Sequence, residues 1–308
     1  MHVAITGSSG FIGSALVARL QAKGHVVTRV VRGSAPGEAD GPCVVWDPAN
    51  GQIDAAALEG HDAVIHLAAA NVAERRWTAA FKRVLRDSRV QGTALLCETL
   101  ARLTSKPKVL LSASAIGYYG SQSVDEAFDE SSPAGEGFLA DVCAEWEQAT
   151  TPAATAGVRV ALMRIGFVLA ANGGGLAKML PAFRAGAGGR IGSGRQMVSW
   201  VTLDDLCDAF CHALATETLA GPVNITAPGA VSNAEFATTL GRVLRRPASV
   251  PLPAFAARLL LGELADAVLL SGAVVRPTRL QRTGYTFQHT ELEPALRAVL
   301  SPSPVPQA

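Results

Sequence analysis

The residues best arranged for chemistry in this sequence are glycines. Thr6-Gly7-Ser8-Ser9-Gly10-Phe11-Ile12-Gly13 follows a strand-like run directly and opens a helix-like one, the setting in which a glycine turn can cradle a diphosphate. Gly7 suits the sharp turn, Gly10 leaves the backbone open to a pyrophosphate, and Gly13 lets the helix sit close to the sheet. Free N–H groups and the helix dipole then favour the anion. Ser8, Ser9, Phe11 and Ile12 complete this expected cofactor-contacting segment. The end of the next strand refines the reading. An Asp or Glu there, about twenty residues past the glycines, serves recognition of an adenosine 2′-hydroxyl. This chain has Arg32 instead, with Arg29 on the same strand. A guanidinium grips a phosphate in a bidentate fork, so the expected cofactor is NADP(H) in preference to NAD(H). A solvated arginine at the strand end is the plain alternative.

Other constellations carry less. Arg75-Arg76-Trp77 offers Arg76 to an anionic substrate and Trp77 to a ring, or Trp77 simply joins the core. His61 and His66 flank a strand without H-E-x-x-H spacing or clustered carboxylates, so no metal site is expected. The five cysteines (Cys43, Cys97, Cys143, Cys207 and Cys211) include no C-x-x-C pair. They suggest neither a disulfide framework nor zinc, and fit a reducing, cytoplasmic setting. Asp125, Glu126, Asp129 and Glu130 read as a solvated acidic loop.

The elements that must position these groups alternate. Residues 2–6, 25–31, 43–46, 63–67, 109–112 and 159–164 have strand character, and 13–22, 77–103 and 137–156 have helical character between them. Such alternation demands right-handed crossovers and a parallel sheet with helices on both faces, and ligands then bind beyond the carboxyl ends of the strands. After Arg164 the texture becomes glycine-rich. A helix at 203–216, opened by Thr202 as cap with Asp204 and Asp205 in its first turn, precedes a late strand at 222–226 that returns to the sheet. Residues 232–300 read as mostly helical. The fold class expected is α/β: a doubly wound parallel sheet, Rossmann-like, with a smaller, discontinuous mixed α/β substrate lobe. Residues 1–165 with about 198–228 form the cofactor domain, about 166–197 with 229–300 the lobe, and 301–308 a flexible tail.

Composition excludes several function classes. Hydrophobic residues make up 49% and charged residues 17% of the 308, which is a globular and not a disordered profile. With 27 Lys+Arg against 26 Asp+Glu the net charge is +1, so no global field draws nucleic acid or an anionic membrane surface. A strand-like run starts almost at Met1, which predicts no cleaved leader. The apolar stretch 255–275 contains Arg258, Glu263 and Asp266 and is expected to be a buried amphipathic helix, not a membrane span. The expected partner is a small-molecule substrate, and both a monomer and a homodimer are compatible with the sequence.

Taken together, further motifs make the chain recognisable. They are Asp62-Ala63-Val64-Ile65-His66-Leu67-Ala68-Ala69, Ser88-Arg89, Ser112-Ala113-Ser114-Ala115-Ile116-Gly117-Tyr118-Tyr119-Gly120, Arg164-Ile165-Gly166, Gly192-Ser193-Gly194-Arg195-Gln196, Ser199-Trp200, Gly221-Pro222-Val223-Asn224 and Arg276-Pro277. With the glycine turn they resemble the extended short-chain dehydrogenase/reductase superfamily, which includes nucleotide-sugar epimerases and dehydratases. More closely, they resemble an atypical "epimerase family" branch with a C-terminal extension. The resemblance runs from Val3 to about Leu300. It implies that Leu67, Ala68 and Ala69 line the adenine–ribose path, and that Ser112 and Ala113 lie where nicotinamide and substrate meet. Ser114 is the implied partner of a substrate hydroxyl or carbonyl, or it caps its own strand. Arg195, Gln196 and Trp200 fall in the segment where related enzymes touch substrate. Arg276 corresponds to a late arginine that often faces a diphosphate, and Asp47 either approaches the adenine or makes a turn.

The catalytic pattern of the superfamily is broken. Ordinary members carry Tyr-x-x-x-Lys on a helix, one turn apart on a common face. The tyrosine is the acid or base; the lysine holds the nicotinamide ribose and lowers the phenol pKa. Matching Glu147 to the glutamate that commonly follows puts Leu139 at the tyrosine place and Cys143 at the lysine place. Neither side chain can do that work. Tyr118 or Tyr119 as a replacement acid, Lys178 reaching in from the second lobe, or dinucleotide binding without turnover remain open. The reading is therefore an atypical NADP(H)-dependent reductase or epimerase/dehydratase-like protein, with a non-catalytic NADP(H)-binding or redox-sensing protein as the alternative.

Overall fold

Val3, Ala4 and Ile5 are consecutive and wholly enclosed, which happens only where helices cover a parallel sheet on both faces. The computed structural model describes residues 1–33, 42–120 and 126–301. Its main sheet contains β1 (His2–Thr6), β2 (Val26–Arg32), β3 (Cys43–Asp47), β4 (Gln52–Ile53), β5 (Ala63–His66), β6 (Val109–Ala115), β8 (Arg159–Ile165) and β12 (Gly221–Ile225). The order is β12-β8-β6-β5-β1-β2-β3-β4. Every pairing is parallel except β3–β4. The chain order reverses between β1 and β5, so the crevice for a ligand lies beyond the carboxyl ends of those strands.

Helices α1 (Phe11–Ala22) and α6 (Leu203–Ala215) cover one face with Leu16, Leu20, Leu206 and Phe210. Helices α2 (Ala79–Arg102) and α4 (Thr151–Thr155), through Leu96, Leu100 and Ala153, cover the other. Helix α3 (Phe138–Gln148) lies beside α2. Thr202 caps α6 as expected, its Oγ1 accepting from Asp205 N at 3.1 Å. The late strand β12 returns to the sheet beside β8 in the register Gly221–Ala161.

A second apolar cluster joins α5 (Gly174–Arg184), α7 (Asn233–Leu244) and α10 (Leu292–Leu300) around Leu180, Phe183, Trp200, Phe236, Leu240 and Leu296. Short strand pairs frame it. β9 (Phe167–Leu169) runs parallel to β11 (Trp200–Thr202), β10 (Met197–Val198) antiparallel to β13 (Val231–Ser232), and β7 (Ala127–Phe128) parallel to β14 (Val274–Val275).

The stretch 255–275 departs from expectation. It is not one buried helix but α8 (Ala254–Leu261), a π-helical turn at Ala265–Leu269 and strand β14. Ala257, Leu264 and Ala265 face inward, whereas Phe255 and Leu259 are more than two-thirds exposed, at 72% and 71%. Gly262, in the left-handed region with φ +62°, ends the helix before the pattern can bury its second apolar stripe. Among the described residues no helix is long and apolar enough to cross a membrane. The tail from 302 onward and Asp125 lie outside the described residues.

Candidate functional site

The β1–α1 turn is built by backbone contacts that leave no room for side chains. Gly7 sits at φ +69°, and a Cβ on it would lie 2.9 Å from Ala68 N. A Cβ on Gly13 would lie 2.0 Å from Gly7 O. Helix α1 therefore begins pressed against the turn, and the turn against the segment after β5. Gly10, the N-cap, is extended and no side chain caps the helix, so its first N–H groups are left for a ligand, which suits a diphosphate. Thr6 Oγ1 accepts from Leu67 N and Ala68 N at 3.1 and 3.2 Å, fixing those two residues beside the glycines. Arg32 is exposed at the carboxyl end of β2. Asp47 takes the turn role: its Oδ1 accepts from Ala49 N and Asn50 N.

Behind the turn runs a buried polar chain that the sequence did not announce. Because Thr6 Oγ1 already accepts twice, its hydroxyl donates to His66 Nδ1 at 2.8 Å. The proton of the neutral ring then sits on Nε2 and donates to Thr93 Oγ1 at 2.9 Å. Trp146 Nε1 donates to the same Thr93 oxygen at 2.8 Å. Burial lowers the His66 pKa to about 4. Between pH about 6.5 and 4 the unfolded chain takes up a proton that the folded His66 refuses. Stability is thus full above about 6.5 and falls with pH, by about 3 kcal/mol in all from this group. An NMR titration is expected to show the His66 ring neutral at pH 5.5; a midpoint near 6.5 would refute the assignment.

Beyond the carboxyl ends of β6 and β8 lies a cavity of about 360 Å³. Ala115, Ile116 and Gly117 follow from β6, Leu139, Val142 and Cys143 come from α3, and Ile165, Gly166 and Phe167 from the end of β8. The second lobe closes it with Met179, Gln196, Phe236 and the 267–273 segment. The walls are apolar, and the one ionic side chain among the described lining residues is Arg89 of α2. No tyrosine, histidine or carboxylate is among them. Gln196 Nε2 donates to Ile191 O and Leu269 O at 3.0 and 2.8 Å, and the Ser199 hydroxyl is held between Ala273 O and Val275 N. Burial pushes the Cys143 thiol up to about 12, so Cys143 is a neutral group and no nucleophile at neutral pH.

Residues 3–226 match the model of the NAD dependent epimerase/dehydratase family. The chain belongs to that family. Residues 252–299 match a second model, a domain of unknown function, DUF1731, which corresponds to the C-terminal extension expected from the sequence. Among relatives in this family, the epimerase family protein Mb2239 of Mycobacterium bovis is 47% identical over 294 residues, covering 96% of each chain. Human epimerase family protein SDR39U1 is 36% identical over 304 residues, covering 98% of this chain and all of the relative. A crystal structure of human SDR39U1 (isoform 2) with NADPH superimposes with a TM-score of 0.88 at 35% identity, over 97% of this chain and 99% of that one. The Rossmann-like α/β fold expected from the strand–helix alternation is thereby shared with an NADPH-bound relative.

Within this family member the expected catalytic residues do not reach the cavity. Strand β6 alternates, sending Ala113 and Ala115 to one face and Ser112 and Ser114 to the other. Ser114 is 2% exposed and its Oγ donates to Glu147 Oε1 at 2.6 Å. Tyr119 is wholly enclosed. Its hydroxyl accepts from Arg164 Nη1 at 2.9 Å and lies within donating reach of Asn224 Oδ1 and Asp129 O. Tyr118 is partly exposed, but the Arg164 guanidinium lies 3.4 Å from its ring centroid. These groups form one hydrogen-bonded network and are not among the residues that line the cavity.

Of the residues expected at the substrate, Gln196 alone lines the cavity. Trp77 is core: its Nε1 donates to Val72 O at 2.8 Å and its ring meets Phe138 edge-on. Trp200 has no exposure and donates to Gly229 O. Arg76 reaches Leu259 O at the end of α8. Arg195 and Arg276 are exposed and outside the cavity lining, and Lys178 Nζ donates to Ala73 O. Glu130 corrects the solvated-loop reading. It is 8% exposed, its Oε1 accepts from Asn224 N and Arg279 N, and burial raises its pKa. Among the described residues no group of His, Cys, Asp and Glu could hold a metal ion.

Proposed function

We propose that this protein binds NADP(H) along the carboxyl edge of β1, β2, β5 and β6 and acts as a reductase on a small molecule held in the adjoining cavity. When bound, the cofactor would supply or accept a hydride. The chain's own part is to hold the diphosphate with the α1 N-terminus, to engage the 2′-phosphate with Arg32, and to give the substrate a largely apolar wall. Two observations carry this reading: a glycine turn at the end of β1 that no side chain caps, and a largely apolar cavity at the ends of β6 and β8, on the same carboxyl edge of the sheet. Human SDR39U1, with NADPH in its structure, supports the cofactor choice.

Epimerisation and dehydration begin by taking a proton from a substrate hydroxyl, and the described lining residues include no base for it. Carbonyl reduction needs one proton beside the hydride, and with no acid among those residues water has to supply it. The same lack of an acid–base group favours, as a second reading, a dinucleotide-binding protein without turnover. Oxidation of NADPH across a panel of carbonyl compounds and nucleotide sugars separates the two. Turnover of a carbonyl supports the reductase, whereas tight NADPH binding with no turnover supports the second reading.

Arg32→Asp tests the cofactor choice directly. A lost charge-assisted pair with phosphate is worth about 1.5–3 kcal/mol, or about ten- to a hundred-fold in affinity. Fluorescence titration is expected to show NADPH binding weakened by that factor and NADH binding unchanged or improved. An unaltered NADPH/NADH preference would remove Arg32 from the site.

A further inference from the structure

Arg89 is a cation in an apolar wall. It stands on the inward stripe of α2, in i, i+4 spacing with enclosed Leu85 and Thr93. Its guanidinium lies 5.1 Å from the Trp146 ring, and Nη1 donates to Leu85 O at 2.9 Å. Among the described residues no carboxylate lies within ion-pair distance of it. A guanidinium has five N–H donors in a planar fork; Arg89 is half-buried, and a charge held against apolar neighbours gains from any acceptor brought to it. Arg89 lines the cavity, so a ligand there can bring oxygen atoms to the donors that Leu85 O does not take.

The position of Arg89 decides which ligand. Ser88 beside it accepts at Oγ from Ala70 N at 3.1 Å, and Thr93, one turn on, is tied through His66 to Thr6 of the phosphate turn. Arg89 is thus anchored to the wall shared with the glycine turn and the 66–70 segment. Gln196 and Leu269 belong to the opposite, second-lobe wall. A dinucleotide with its diphosphate on α1 would have its nicotinamide half nearer to this wall than to the second-lobe wall. Trp146 and Cys143, three residues apart on α3, share the face against which Arg89 lies, and Arg89 acts electrostatically on the Cys143 thiol.

We infer that Arg89 binds the ribose hydroxyls on the nicotinamide side of NADP(H), supplying from α2 the cation that the residue at 143 does not. The inference rests on the NADP(H) reading above and deepens it. The test compares two ligands on the full chain: NADPH, and 2′,5′-ADP, which keeps the adenosine, the 2′-phosphate and one phosphate of the diphosphate but lacks the nicotinamide nucleotide. Arg89→Met is expected to weaken NADPH about ten- to a hundred-fold while leaving 2′,5′-ADP within about threefold of the parent chain. Unchanged NADPH affinity overturns the inference, as does an equal loss for both ligands. If the parent chain binds neither ligand, the NADP(H) reading itself has failed. Arg89→Gln, which keeps an amide donor for Leu85 O, gives the same comparison should the methionine variant not fold.

Discussion

Gly13→Ala is expected to abolish measurable NADPH binding, with an affinity loss of at least about a hundred-fold, and to destabilise the protein by about 1–3 kcal/mol. The added Cβ would lie 2.0 Å from Gly7 O, 2.9 Å from Gly7 C and 3.0 Å from Ser8 Cα. All three are backbone atoms, so no rotamer change relieves the overlap. The turn cannot retreat either, because Gly7 is already wedged against Ala68 N. Helix α1 must move off the sheet, and the N–H groups that would hold a diphosphate move with it. Gly10→Ala supplies the contrast. Its Cβ meets only Gly7 O, at 3.2 Å, so the fold should tolerate it while the methyl obstructs a ligand resting on α1. Titration calorimetry with NADPH, beside denaturant unfolding of both variants, checks the pair. Normal binding by Gly13→Ala would exclude the turn as the cofactor site.

What could be read from the chain beforehand was local. The glycine turn, the strands through Arg159–Ile165, the Thr202 cap and the late strand all depend on neighbours in sequence, and the structure has them in place. The cavity depends on distant segments. Its second-lobe wall at 267–273 comes from a stretch whose composition suggested a single buried helix, and Gly262 was the overlooked stop. Trp77, Trp200 and Tyr119 looked chemically capable, but large amphipathic rings with one polar atom are also what a core buries once that atom finds a carbonyl or amide partner. The motif around Ser114 leaves open a substrate partner or a strand-end cap; alternation along β6 turns it toward Glu147 instead. Ser88-Arg89 as a motif carries no chemistry by itself. The signal for Arg89 was the i, i+4 stripe Leu85, Arg89, Thr93, Cys97 on α2, three enclosed residues and one cation.

Glu147→Ala is expected to cost about 3–5 kcal/mol, because it strands a buried charge. Arg164 Nε and Nη2 donate to Glu147 Oε1 and Oε2 at 2.8 and 2.7 Å, and the two side chains are 3% and 9% exposed. Burial works against the Arg164 charge, yet the Glu147 bonds and field outweigh it and hold its pKa above the ordinary arginine value. Without the carboxylate, Arg164 keeps the Tyr119 hydroxyl and the Tyr118 ring, neither of which neutralises it, and Ser114 loses its acceptor. The double variant Glu147→Leu with Arg164→Met removes both charges and should be less destabilised than Glu147→Leu alone. Guanidinium unfolding of the parent, single and double variants measures this; a single-variant loss below about 1 kcal/mol, the range of an exposed pair, would contradict it. The network also governs the cavity, since Arg164 holds Tyr119, and a Cβ on Gly135 would lie only 2.0 Å from Tyr119 O. Loosening Tyr119 loosens the turn from Ile116 to Gly120 that floors the cavity. Glu147→Ala should therefore weaken ligands that occupy the cavity more than it weakens 2′,5′-ADP, whose proposed contacts are with Arg32 and the α1 N-terminus.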